Sequence, residues 1–163
     1  MKISIFGVGY VGAVSSGCLV SLGHEVTAMD VSADKVGLIN RGISPIVEAE
    51  IDTLIADGVG RGRLRATGDV AEAVAGSDVS FISVGTPSAA NGSVSMVAVN
   101  HVVRDIGTAL RHKRTPHVIV MVSARPRCRQ AWSGGICEAL DVTMGFLIQA
   151  PYGPASRPVV VLA

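Results

Sequence analysis

Three glycines constrain this chain more than any other feature. Gly7, Gly9 and Gly12 lie in the run KISIFGVGYVG, and Asp30 closes the next apolar run, EVTAMD. Lys2 to Phe6 reads as a buried strand, and the periodic stretch from Tyr10 to Leu22 reads as a helix. G-x-G-x-x-G therefore falls at a strand-to-helix turn, the setting in which it has physical meaning. There Gly7 permits the tight turn, Gly9 lets a pyrophosphate approach the backbone, and Gly12 lets strand and helix pack closely. The first-turn amides around Tyr10 and Val11, with the helix dipole behind them, face the phosphates. Asp30 lies 23 positions after Gly7, close to the ~20-residue spacing of a carboxylate that binds a ribose 2′-hydroxyl. Together these residues imply a dinucleotide site; the competing account is a glycine-rich packing turn with no ligand.

Asp30 also speaks to which dinucleotide binds. A carboxylate at the ribose edge repels a 2′-phosphate, so NAD is expected rather than NADP. Lys35, five residues on, is either a cation within reach of a phosphate or a solvated side chain on the following helix.

At 163 residues the length fits one domain with a core of its own. Apolar residues make up 48% and charged residues 17%, a balance that suits strands covered on both faces. A net charge of +1 gives no global field for nucleic acid or acidic membranes. The basic runs Arg61/Arg63/Arg65 and Arg125/Arg127/Arg129 lack interleaved aromatics and read as solvated faces. Cys18, Cys128 and Cys137 show no C-x-x-C, and His24, His101, His112 and His117 are scattered. No metal site is expected, and a reducing compartment fits best. Lys2 to Leu22 superficially resembles a secretory leader, but glycines and Ser15-Ser16 interrupt its apolar core. The expectation is a cytoplasmic chain without a membrane span.

Strands and helices alternate along the chain, which implies an α/β fold: one Rossmann-like, doubly wound parallel sheet with helices on both faces. A helix is expected from Ser32 or Ala33 to about Asn40, with Ser32 as N-cap and Gly42 as stop. Further helices are expected over Glu48 to Ala56, briefly after Asp69, and over Val94 to Arg111. Glu48 is read as a helix start rather than a ligand contact. Strands are expected at Leu64 to Thr67, Val79 to Val84 and Val118 to Val122, and Gly58-Val59-Gly60 is read as loop. Gly85-Thr86-Pro87 turns at a strand's carboxyl end, where open α/β sheets bind ligands. Later come a possible helix from Cys128 to Leu140, a weak strand from Met144 to Ile148 and a short strand from Val159 to Leu162. All 163 residues are assigned to one domain, regular to about Val122 and divergent over 123–163.

Three further segments narrow the comparison: Gly42-Ile43-Ser44-Pro45-Ile46-Val47-Glu48, Asp78 to Pro87, and Asn91-Gly92. With FGVGYVG, Asp30 and Lys35 they resemble the N-terminal domain of the UDP-glucose/GDP-mannose dehydrogenase family, most closely its GDP-mannose branch, over about residues 1–120. The resemblance implies an enzyme that oxidises a sugar nucleotide's C6 alcohol to a carboxylate in two NAD-dependent steps through a cysteine thiolate. It also implies that Tyr10, Val11, Asp30, Lys35 and Thr86 contact NAD. Thr86 has the alternative of merely ordering the turn before Pro87, and Tyr10 that of ordinary packing.

The chain departs from the family further on. Where the family has R-S-T-V-x-P-G-T, this chain has Met121-Val122-Ser123-Ala124-Arg125-Pro126; for N-P-E-F-L it has Ala150-Pro151-Tyr152-Gly153. The family's dimer helix, nucleotide-sugar domain and cysteine motif would follow Ala163. Cys128 and Cys137 read as inert thiols, so no catalytic residue is assigned. The chain alone is expected to bind NAD(H) without turning over a sugar nucleotide. Two other readings stand beside this one: a self-sufficient NAD-sensing or partner-docking module, and the remnant of a decayed gene. Oligomeric state is left open.

Overall fold

A computed structural model of the chain describes residues 1–87, 95–121 and 159–162. Its elements are β1 (Lys2–Phe6), α1 (Tyr10–Ser21), β2 (Glu25–Met29), α2 (Ala33–Asn40), α3 (Ala49–Gly60), β3 (Leu64–Thr67), α4 (Val70–Ala75), β4 (Val79–Ile82), α5 (Val97–Leu110), β5 (His117–Met121) and β6 (Val159–Leu162). The strands form one sheet in the order β3-β2-β1-β4-β5-β6, every neighbouring pair parallel. Strand order reverses between β1 and β4, so a crevice opens at the carboxyl end of β1.

Alternation along β1 divides the core. Ile3 and Ile5 join Val26, Ala28, Ala13 of α1 and Ile51 and Ile55 of α3 on one face. Phe6 joins Ile82, Ile119, Val74 of α4 and Val103 and Ile106 of α5 on the other. Both faces are covered, as the apolar content requires.

Several boundaries differ from the sequence expectation. α3 runs through Gly58-Val59-Gly60 instead of ending at Ala56. Gly58 is there for close packing: a Cβ on it would stand 2.6 Å from Val20 Cγ1 of α1. α5 begins at Val97, because the Ser95 amide donates to Pro87 O at 2.8 Å and closes a loop instead of starting a helix; Val94 lies outside the described residues. β4 stops at Ile82, level with Phe6, where β1 enters the glycine turn. β6 joins the sheet beside β5, pairing Val159 with His117 and Leu162 with Val120. The helix expected over Cys128 to Leu140 and the strand over Met144 to Ile148 lie outside the described residues. No helix among the described residues is long and apolar enough to cross a membrane.

A polar chain runs through the core near the amino ends of β1, β4 and β5. Lys113 Nζ donates to Val74 O at 2.7 Å, to Ser77 O, and to His117 Nδ1 at 3.0 Å, which uses all three ammonium protons. Nδ1 is therefore an acceptor, so Nε2 carries the ring proton and donates to Ser80 Oγ at 2.7 Å. Ser80 then bonds Ser4 Oγ at 2.7 Å, Ser4 bonds Ser77 Oγ at 2.9 Å, and Ser77 donates to Ala73 O at 2.8 Å. Burial, and next the Lys113 ammonium, push the His117 pKa down to about 4. Burial also lowers that of Lys113, against the opposing charge of Asp78.

Candidate dinucleotide-binding site

The glycine turn is held by contacts that leave little room for side chains. Gly7 has φ +95°, and its amide donates to Met29 O at 2.8 Å. A Cβ on Gly12 would lie 1.8 Å from Gly7 O, whereas a Cβ on Gly9 would meet nothing within 4 Å. The two glycines thus serve different ends: Gly12 lets helix and turn touch, and Gly9 leaves open space in front of the backbone. Gly9 is the N-cap of α1 and makes no side-chain cap. The first intrahelical bond is Ala13 N to Gly9 O at 2.9 Å. The Tyr10, Val11 and Gly12 amides consequently have no helical acceptor. α1 carries no charged residue, so its helix-dipole charge at that end is unopposed from within the helix.

Asp30 stands at the carboxyl end of β2 and is buried. Its Oδ2 accepts the Val8 amide at 2.7 Å and Lys35 Nζ at 3.4 Å; its Oδ1 accepts the Ser32 amide at 2.9 Å. Two carboxylate oxygens offer about four acceptor positions, so three are taken and one on Oδ1 remains for a further donor. Lys35 sits in the first turn of α2, where its amide donates to the Ser32 cap at 3.5 Å. Its side chain is part-exposed and ion-paired with Asp30, not a free solvated cation.

The far side of the turn is braced by the residues that follow β4. Ser83 Oγ donates to Gly7 O at 2.9 Å and Phe6 O at 3.1 Å, and a Cβ on Gly7 would touch Val84 Cα at 3.0 Å. Thr86 follows two residues later, half-buried, on the turn leaving the carboxyl end of β4.

The structure thus gathers Gly7, Gly9, Tyr10, Val11, Gly12, Asp30 and Lys35 around one turn and sets Thr86 on the segment that follows β4. Sequence reasoning overlooked Ser83, although it lies inside a quoted segment; a hydroxyl just past an apolar strand was the available signal. It also set Glu48 aside as a helix start. Glu48 is the N-cap of α3, but its carboxylate makes no cap bond and instead accepts the Tyr10 hydroxyl at 3.1 Å. That bond, then the Glu48 charge, raises the Tyr10 phenol pKa above its ordinary value. Unpaired first-turn amides, open space and one acceptor position beside the turn are what a dinucleotide's diphosphate and ribose require, so the residues fit such a group.

Comparison with known proteins agrees with this geometry. Residues 1–138 match the model for the UDP-glucose/GDP-mannose dehydrogenase family, NAD binding domain. GDP-mannose 6-dehydrogenase of Pseudomonas putida is 53% identical over 123 residues, covering 76% of this chain and 28% of that protein. UDP-glucose 6-dehydrogenase of Rhizobium meliloti is 42% identical over 112 residues, covering 68% and 26%. Among solved structures, a ternary complex of GDP-mannose dehydrogenase from Pseudomonas aeruginosa superposes with TM-score 0.83 at 45% identity, over 86% of this chain and 33% of that one. UDP-glucose dehydrogenase from Pyrobaculum islandicum superposes with TM-score 0.81 at 25% identity, over 99% and 46%. The chain therefore spans little more than a quarter of the length of the curated relatives it matches.

Proposed function

Because the chain belongs to the UDP-glucose/GDP-mannose dehydrogenase family through its NAD-binding domain, we propose that it is the cofactor-binding part of a nucleotide-sugar 6-dehydrogenase of the GDP-mannose type. In that reaction a sugar C6 alcohol becomes a carboxylate. NAD, when bound, supplies the hydride acceptor, while the protein supplies position and electrostatics. The Tyr10 and Val11 amides hold the diphosphate across the space that Gly9 leaves open. Asp30, fixed by Val8, Ser32 and Lys35, accepts a hydroxyl of the adenosine ribose. Thr86 lies along the cofactor at the carboxyl end of β4. GDP-mannose is favoured over UDP-glucose by 53% against 42% identity to the respective relatives.

The observation that carries this reading is the pairing of open space at Gly9 with a carboxylate tied to the adjoining Val8 amide. No thiol among the described residues stands at the turn: Cys18 is exposed, about two turns along α1 from Tyr10. We assign cofactor binding and expect no sugar-nucleotide turnover from the 163 residues alone. Calorimetry with NAD, paired with an NADH-production assay on GDP-mannose, tests both parts. Saturable binding without turnover is expected; turnover near ~1 s⁻¹, an ordinary enzymatic rate, would contradict the second part.

A further inference from the structure

Tyr10 is the first residue of α1, directly after the open space at Gly9, and the residue is 62% exposed. Core packing does not hold it. What fixes it is the bond from its hydroxyl to Glu48 Oε1 at 3.1 Å, across 38 positions of chain. A residue at an N-cap ordinarily spends its side chain on its own helix; Glu48 spends it on α1 instead.

The segment that carries Glu48 is itself fastened. The Ser44 amide donates to Asp52 Oδ1 at 3.0 Å, Ser44 Oγ donates to Ile46 O at 2.9 Å, and the Ile46 amide returns to Ser44 Oγ at 3.2 Å. Ile46 packs against the core face of α1 and α3. Val47, next to Glu48, is fully exposed, and Val11, next to Tyr10, is 46% exposed. A ring fastened there before the ligand arrives has less freedom to lose on binding. A ring that keeps water from the amide–diphosphate bonds strengthens them by lowering the local dielectric.

We propose that Glu48 is a positioning residue for the dinucleotide: acting through Tyr10, it holds the phenol ring at the mouth of the diphosphate site as a cover over the bound phosphates. This rests on the NAD-binding reading above. Glu48 itself touches no cofactor.

NADH affinity and melting temperature of the 163-residue chain, measured for Tyr10→Phe, Glu48→Ala, Glu48→Gln and the double variant Tyr10→Phe/Glu48→Ala, test it. Tyr10→Phe and Glu48→Ala should each weaken NADH binding about three- to tenfold, the range of one hydrogen bond, with little change in melting temperature. Glu48→Gln keeps an acceptor and should bind within about twofold of the parent. The double variant should bind no more weakly than the worse single variant, because both remove one contact. The proposal is overturned by parental affinity in either single variant, by Glu48→Gln binding as weakly as Glu48→Ala, by losses that multiply, or by melting temperatures that fall in step with affinity. If the parent itself does not bind NADH, the NAD-binding reading fails; if the parent binds and the variants behave otherwise, the clasp alone fails.

Discussion

The carboxylate of Asp30 holds the glycine turn: its Oδ2 accepts the amide of Val8 at 2.7 Å, 22 residues away and buried. One side chain therefore shapes the turn and, in the proposed function, presents an acceptor to the ribose. Asp30→Asn should damage both roles. An amide has one acceptor oxygen where the carboxylate has two, so either Val8 or Ser32 would face an N–H donor. A buried donor left unmatched costs about 1–3 kcal/mol. Denaturant titration should show a loss of about 2 kcal/mol, and NAD affinity should fall at least about tenfold.

Gly9 and Gly12 separate binding from folding. Gly9→Ala puts a methyl where no protein atom stands within 4 Å, at a backbone with φ −86° that alanine adopts. Its melting temperature should stay within a few degrees of the parent, while NAD affinity falls at least about tenfold as the methyl enters the diphosphate's space. Gly12→Ala drives a methyl to 1.8 Å from Gly7 O and should cost about 3 kcal/mol or prevent folding. Thermal melts and NAD titrations on both variants check the contrast.

The ribose edge should discriminate against an added phosphate. Asp30 is held by three N–H donors, and Lys35, the nearest cation, is already paired with it. A 2′-phosphate would meet a carboxylate that cannot turn away. NADP should bind at least about tenfold more weakly than NAD in parallel calorimetric titrations.

His117 makes stability depend on pH. Its folded pKa, about 4, lies below its unfolded value near 6.5, so the unfolded chain binds more protons between those two values. The stabilisation is present above about pH 6.5 and is lost as pH falls towards 4. Between pH 7 and pH 5 this amounts to about 2 kcal/mol. Urea denaturation at the two pH values should show that difference, and His117→Asn should flatten it.

The glycine turn, Asp30, the sheet and most strand limits were legible because they depend on local chemistry: positive φ, alternation, and a strand-to-helix switch. Gly58 misled because glycine stops a helix and also admits a neighbouring one; only the position of Val20 decides between these. The position of Ser83 just past an apolar strand was visible, but its bracing contacts, like the buried network of Lys113 and His117, were not. Apart from the Lys113–His117 pair itself, four residues apart, their partners lie 36–77 residues away in the chain, and no spacing rule reports such contacts. Lys35 read equally well as a solvated cation until folding set it against Asp30. Glu48 starts α3 as its position suggested, while the bond its carboxylate makes to Tyr10, 38 positions away, was not legible.

The account stands on the first-turn amides of α1. Backbone amide NMR during titration with NAD observes them directly. Resonances of Tyr10, Val11 and Gly12, with those of Val8 and Ser32 that bond Asp30, should shift together along one saturating curve. Saturation that moves other amides and leaves these five still, or no saturable shift at all, would contradict it.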